Sequence, residues 1–203
     1  MTRAFALALC AGLAALAPQA MMAAEAGDAV FAERGPWDLD AALEWRMTVE
    51  GPQAEGFRPL ADAAVTLAET IDPSDQQPVL QLTQELGEGS RKIGPFPISG
   101  GDPVLTFFLE QTVRDMSALS GGSPHYIRNR MKEALFRGGE ISRDEDGVTA
   151  SFQPFAEDAN AARMGGFDTL RLTFVMADPD QPIRELRAET DAVPGYRSAL
   201  VLQ

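Results

Sequence analysis

The chain has 203 residues, with 30 acidic against 17 basic side chains and a formal net charge of −13; that is length enough for one domain with its own core. The acid excess is repelled by phosphate backbones and argues against nucleic acid as a partner. A single histidine and a single cysteine exclude a multi-histidine metal centre, a zinc-protease motif and a disulfide framework.

Met1 to Arg3 supply a short positive start, Ala4 to Leu16 an apolar run, and small residues follow. That is the pattern of a secretory signal peptide, and the run is too short to cross a bilayer as a stable helix. Cleavage fits after Ala20, Ala24 or Ala26, of which Ala24-Glu25-Ala26 best matches a small-x-small site. Residues 1–26 are therefore expected to be a signal peptide, and residues 27–203 one domain. Cys10 lies in the expected signal, preceded by Leu9 where a lipidated signal would carry a small residue, so the mature chain is expected to lack thiols. Without a second long apolar run, the expectations are no stable membrane insertion and a periplasmic location.

Residues 27 to 41 read as a lead-in segment carrying Trp37 and up to one helical turn. Leu43 to Glu50 alternates Leu43, Trp45, Met47 and Val49 with Glu44, Arg46, Thr48 and Glu50, the signature of a strand with one face in a core. Strands over Ala64 to Ile71 and Val79 to Leu86 flank the turn-rich Asp72 to Pro78 and pair as a hairpin. Arg91 to Ile93 adds a short strand within an irregular stretch. Two helices follow between Asp102 and Gly138. Each opens on a capping residue and proline, Asp102-Pro103 and Ser123-Pro124, and each closes on glycine, Gly121-Gly122 and Gly138-Gly139. Glu140 to Arg143 and Val148 to Gln153 flank the acidic turn Asp144-Glu145-Asp146-Gly147 as a second hairpin. Phe155 to Met164 reads as a short helix, and Leu170 to Ala177, Ile183 to Glu189 and Tyr196 to Leu202 as a closing meander.

These elements predict an α+β fold, a curved antiparallel sheet of about 7–9 strands packed on a central two-helix hairpin. On the first helix, Leu105, Phe108, Leu109, Val113 and Met116 form an apolar stripe at helical spacing, with Phe107 beside it. On the second, Ile127, Met131, Ala134 and Leu135 form a narrower stripe, surrounded by His125, Tyr126, Arg128, Asn129, Arg130, Lys132 and Arg137. That concentration stands out in an acidic chain. His125, Tyr126, Arg128, Asn129 and Arg130 are the candidate binding residues, at a helix N-terminus whose dipole adds to the positive side chains. The competing reading is intramolecular pairing, for example of Arg128 with Asp115 or Glu133.

No catalytic motif emerges. Gly121-Gly-Ser-Pro-His125 lacks the second glycine and the preceding strand of a nucleophile elbow, so Ser123 is better read as a helix cap. Gly87-Glu-Gly89 lacks the third glycine of a dinucleotide fingerprint. Asp144 to Asp146 lack the spacing of a full calcium loop. No metal, cofactor or catalytic residue is assigned.

The run from Pro103 to Met131, with the signal-like start, resembles the central segment of a group of uncharacterised exported proteins from alphaproteobacteria; the resemblance implies an envelope location and carries no activity, ligand or functional residue. The expected architecture, a half-barrel covered by helices, also resembles at fold level the periplasmic lipoprotein carriers of the LolA and LolB type. The function expected is a periplasmic binding module that takes an amphipathic, lipid-like or acidic ligand in a pocket between sheet and hairpin. The alternatives are a non-enzymatic envelope protein that docks on a protein partner and, behind it, a carboxylate-based hydrolase.

Overall fold

The computed structural model describes residues 17–87 and 89–203, with side chains from Ala24 onward. The apolar run Ala4 to Leu16, Cys10 included, lies outside the described residues. The fold is α+β: helix α1 (Ala17–Val30), strands β1 (Leu43–Glu50), β2 (Leu60–Ile71), β3 (Pro78–Leu86) and β4 (Gly89–Pro97), helices α2 (Pro103–Ser120) and α3 (Pro124–Arg137), and strands β5 (Glu140–Asp144), β6 (Gly147–Phe152), β7 (Arg171–Met176), β8 (Glu185–Glu189) and β9 (Arg197–Leu202).

The strands form one open antiparallel sheet of nine in the order β4-β3-β2-β1-β9-β8-β7-β6-β5. Two meanders, β1 to β4 and β5 to β9, are thus joined through the first and last strands, with Trp45 opposite Leu202 and Met47 opposite Leu200. This order has a mechanical consequence. Strand β4 ends at one edge of the sheet and β5 begins at the other, so the segment between them must cross its full width, roughly 38 Å if flat. Helix α2, at 18 residues, covers about 27 Å of that path. It touches both β3 and β8 on the way, burying Val104, Leu105, Phe107, Phe108, Val113 and Met116. Phe108 meets Phe174 edge-on at 6.2 Å, and Phe152 meets the same ring at 6.0 Å. Helix α3 packs on α2 and α1.

Local chemistry sets most boundaries where the sequence places them. Asp102 caps α2 by accepting from the Val104 and Leu105 N–H groups at 2.9 and 3.0 Å, and Gly121 ends it in the left-handed conformation at φ 69°. The alternation in β1 is realised, Trp45, Met47 and Val49 being buried and their neighbours exposed. The helical turn expected in the lead-in segment is the end of α1, with Ala26 and Val30 in the core, where Gly27 lies so close to the Leu135 carbonyl that a Cβ would sit 2.8 Å from it. Two expectations change. Strand β4, at the edge of the sheet, is nine residues long rather than three, because its partner β3 continues the ladder. Residues 155–164 form turns and one 3-10 segment, Ala161–Arg163, because the Asp158 carboxylate takes the Asn160 N–H at 2.8 Å and offers the backbone an alternative to the helix.

Arg34 joins the layers. Its side chain is 1% exposed, and it donates to the carbonyls of Ala29 and Val30 at the end of α1, at 3.0 and 2.8 Å, and to that of Gln181 at 3.0 Å. Its Nε lies 3.7 Å from Asp102, whose side chain is 3% exposed. Burial pushes the Asp102 carboxyl up and the Arg34 guanidinium down, against the pull each exerts on the other.

A second buried carboxylate faces the sheet from α2. Asp115 accepts from the Tyr196 hydroxyl at 2.9 Å and the Gln111 amide at 2.8 Å, and it opens onto none of the hollows described below. Burial pushes its pKa up to about 6, against these hydrogen bonds and the nearby Arg114.

Two outcomes are expected. Arg34→Met orphans two helix-end carbonyls and leaves Asp102 charged and unpaired; it lowers the unfolding free energy in urea by roughly 3–5 kcal/mol, more than Asp102→Asn, which keeps a capping oxygen. Because the folded pKa of Asp115 lies above its unfolded value, the group's contribution is complete at acid pH and is lost as pH rises through about 6. Asp115→Asn should therefore gain about 3 kcal/mol on the wild type between about pH 4 and pH 8, and a difference flat in pH would refute the assignment.

Candidate functional site

The five residues expected to bind a ligand divide into three separate groups. His125 and Asn129 contact each other, Nε2 to Nδ2, at 3.0 Å on the exposed face of α3. Tyr126 donates to both carboxylate oxygens of Asp158, at 2.7 and 2.8 Å, and Arg130 donates to the same group at 2.7 Å and to Glu133 at 2.7 Å. Arg128 forms a two-pronged pair with Glu110, at 2.6 and 2.7 Å. Its partner is thus neither Asp115, which faces the sheet, nor Glu133, which bridges Arg130 and Arg137. The intramolecular reading accounts for the arginines of α3, because α2, the turn at Asp158 and α3 itself supply carboxylates at bonding distance.

The electrostatics agree with this pairing. Covering Asp158 raises its pKa, but hydrogen bonds from the Asn160 N–H, the Tyr126 hydroxyl and Arg130 outweigh that and hold it below the usual carboxylate range. Arg128 likewise holds Glu110 down. Ser123 occupies the N-cap position of α3, but its side chain makes no capping bond; the joint is tied instead by Ser117, which donates to the Gly122 carbonyl at 2.8 Å, and by Ser120, which accepts from the Gly122 N–H at 3.2 Å.

Two adjoining grooves lie along α2. The first, of about 320 Å³, runs between α2 and α3 and is floored by Leu109, Val113, Met131 and Leu135. At its mouth Phe31 and Phe136 stack with centroids 5.2 Å apart and planes 11° apart, although they are 42% and 72% exposed. Arg128, Glu110 and Lys132 form its polar rim. The second groove, of about 410 Å³, separates α2 from the edge strand β4 and is lined by Arg91, Lys92, Ile93, Phe96, Phe107 and Arg114. Thr106 and Glu110 border both, on the row of α2 that lies between them.

Arg91, Lys92 and Arg114 were not singled out by the sequence. Arg91 sits in a stretch that reads as a loop and Arg114 on a helix twenty-odd residues later; only the packing of β4 against α2 brings these two together, while Lys92, opposite Thr83, lies on the other face of the strand. The Arg91 Nη2 donates to Gln84 at 2.9 Å, its guanidinium lies 6.0 Å over the Phe107 ring, and its buried Nε has no acceptor among the described residues. Burial first, then repulsion from Arg114, lowers its pKa. Among the described residues no carboxylate pairs with Arg91, Lys92 or Arg114.

The pairings on α3 predict unequal effects of removing charge. Arg128→Gln breaks a half-exposed pair and should change stability by less than about 1 kcal/mol. Arg130→Gln strips a fully covered carboxylate of a donor and should cost about 1–3 kcal/mol, measured for both by thermal unfolding at neutral pH.

No protein-family model matches this chain, and no curated protein sequence is significantly similar to it.

Proposed function

We propose that this is an exported binding module for an amphipathic ligand, with the ligand's apolar part in the groove between α2 and α3 and the sheet wrapped against the far side of α2. The observation that carries the reading is the groove itself: a mostly apolar hollow of about 320 Å³, of the size small-molecule sites have, closed at one end by two exposed stacked phenylalanines. Large exposed aromatic rings are costly in water, and a pair at the mouth of an apolar groove is positioned to cover a bound chain. Each methylene buried there contributes roughly 0.8 kcal/mol. The signal-like start supports export.

The carboxylate-hydrolase reading receives less support, since the strongly perturbed carboxyls Asp102 and Asp115 are both buried in structural contacts. The amphiphile reading is tested with N-phenyl-1-naphthylamine, whose fluorescence rises in apolar sites, followed by displacement with single-chain amphiphiles. Leu109 is half-buried in the groove, and Leu109→Trp fills it without touching the sheet-facing core. The expected result is probe binding by the wild type and roughly tenfold weaker binding by the variant at an unchanged melting temperature. Equal binding by the two, or none by the wild type, overturns the reading.

A further inference from the structure

The groove between α2 and α3 has two unlike ends. Along α3, Arg128, Lys132 and Phe136 follow one another at four-residue steps and line the groove from one row of the helix, so that Arg128 and Phe136 stand about 12 Å apart along its axis. At the Phe136 end the stacked ring of Phe31 covers the hollow; at the other end Arg128 reaches across to Glu110 on α2. The floor of Leu109, Val113, Met131 and Leu135 is apolar throughout. The charged side chains that line the groove are Glu110, Arg128 and Lys132. Glu110 has both oxygens on Arg128, at 2.6 and 2.7 Å, through Nε and Nη2. That pair cancels its own charge, fixes the plane of the guanidinium and leaves Nη1 outside the two bonds. Lys132, exposed one turn further along, makes the balance two cations against one carboxylate.

We propose that the ligand of this groove is a single-chain carboxylate of fatty-acid type, its carboxylate held between Arg128 and Lys132 and its chain laid on the aliphatic floor toward Phe31 and Phe136; this rests on the amphiphile reading above. The single positive charge left over at the rim is neutralised by one carboxylate. A phosphate monoester brings up to two negative charges, and a quaternary ammonium head brings the wrong sign. Two cations one helical turn apart, with Cβ atoms about 6 Å from each other, reach the two oxygens of one carboxylate, and Glu110 acts as a positioning residue that holds Arg128 ready. Burial of the chain supplies affinity, while charge-assisted hydrogen bonds at the rim select the anion and fix which way round it lies. A hollow of about 320 Å³ is near the lower bound for small-molecule sites and takes one chain rather than two.

The experiment displaces N-phenyl-1-naphthylamine from the full purified protein with three competitors of equal chain length, each below its critical micelle concentration at low salt and pH 8: decanoate, 1-decanol and decyltrimethylammonium. Decanoate should displace the probe at a roughly tenfold lower concentration than decyltrimethylammonium. Lys132→Gln should remove most of that preference and Lys132→Glu reverse it, both at an unchanged melting temperature because the side chain is exposed, while 1-decanol binds all these proteins alike. Arg128→Gln should weaken decanoate more than Lys132→Gln does, because it also leaves Glu110 unneutralised. Leu109→Trp should weaken all three competitors together. A preference absent from the wild type, or unchanged by the Lys132 and Arg128 variants, overturns the carboxylate site and leaves the groove reading standing; so does a bound probe that no competitor displaces. A preference that Lys132→Glu removes but Leu109→Trp leaves at full strength puts the anion outside the groove and overturns the proposal. No binding of the probe or of any competitor overturns both readings.

Discussion

Arg34 sits where the fold has least freedom. The first helix ends there with carbonyls that no further turn can satisfy, the long sheet-crossing helix begins nearby with its own orphaned N–H groups, and the turn between β7 and β8 presents the Gln181 carbonyl. One guanidinium answers the first and third, and through Asp102 it neutralises the cap of the second. A cation at a helix C-terminus and an acid at a helix N-terminus each complement the local dipole, so the pair meets the polar demand of three elements that meet inside an apolar layer. Taking such a pair out of water is costly, and here the recovered hydrogen bonds offset that cost.

The rest of the architecture follows from the path that begins at Asp102. Because β4 and β5 are opposite edges of a nine-stranded sheet, the connection between them has to traverse a face, and a helix does so with every backbone group satisfied over its middle. Helix α2 consequently has two kinds of neighbour. Its inner side, Phe107, Phe108, Thr112, Asp115 and Met116, is buried in the core. Its outer side is left to α3 and to the edge strand, neither of which covers it fully. The grooves are what remains uncovered, and the side chains along them set their character: aliphatic and aromatic toward α3, cationic toward β4.

The cationic concentration on α3 illustrates the limits of reading charge along a chain. Helical spacing showed that Arg128, Arg130 and Arg137 lie around one apolar stripe, but a carboxylate that pairs with them was indistinguishable from one that does not. Glu110 is eighteen residues before Arg128 and Asp158 twenty-eight after Arg130; their approach depends on the angle of α3 to α2 and on the fold of the 153–170 loop. Within that loop Phe155 to Met164 reads as a helix in sequence, since the competing Asx turn at Asp158 leaves no periodic trace. The Ser123 cap was a fair inference from residue type, undone by a joint that Ser117 and Ser120 hold.

Local pattern by itself determined the two central helices, their apolar stripes, the Asp102 cap and nearly every strand, because periodicity of burial and the backbone preferences of proline, glycine and capping residues act within a few positions. Tertiary structure decided the pairing of β1 with β9, the length of β4, the partners of the arginines of α3 and the meeting of Arg91 with Arg114. Those depend on which strand edge and which helix face come within a few ångströms of each other, and a contact between residues far apart in the chain is set by the packing of whole elements, to which no single stretch of sequence has access.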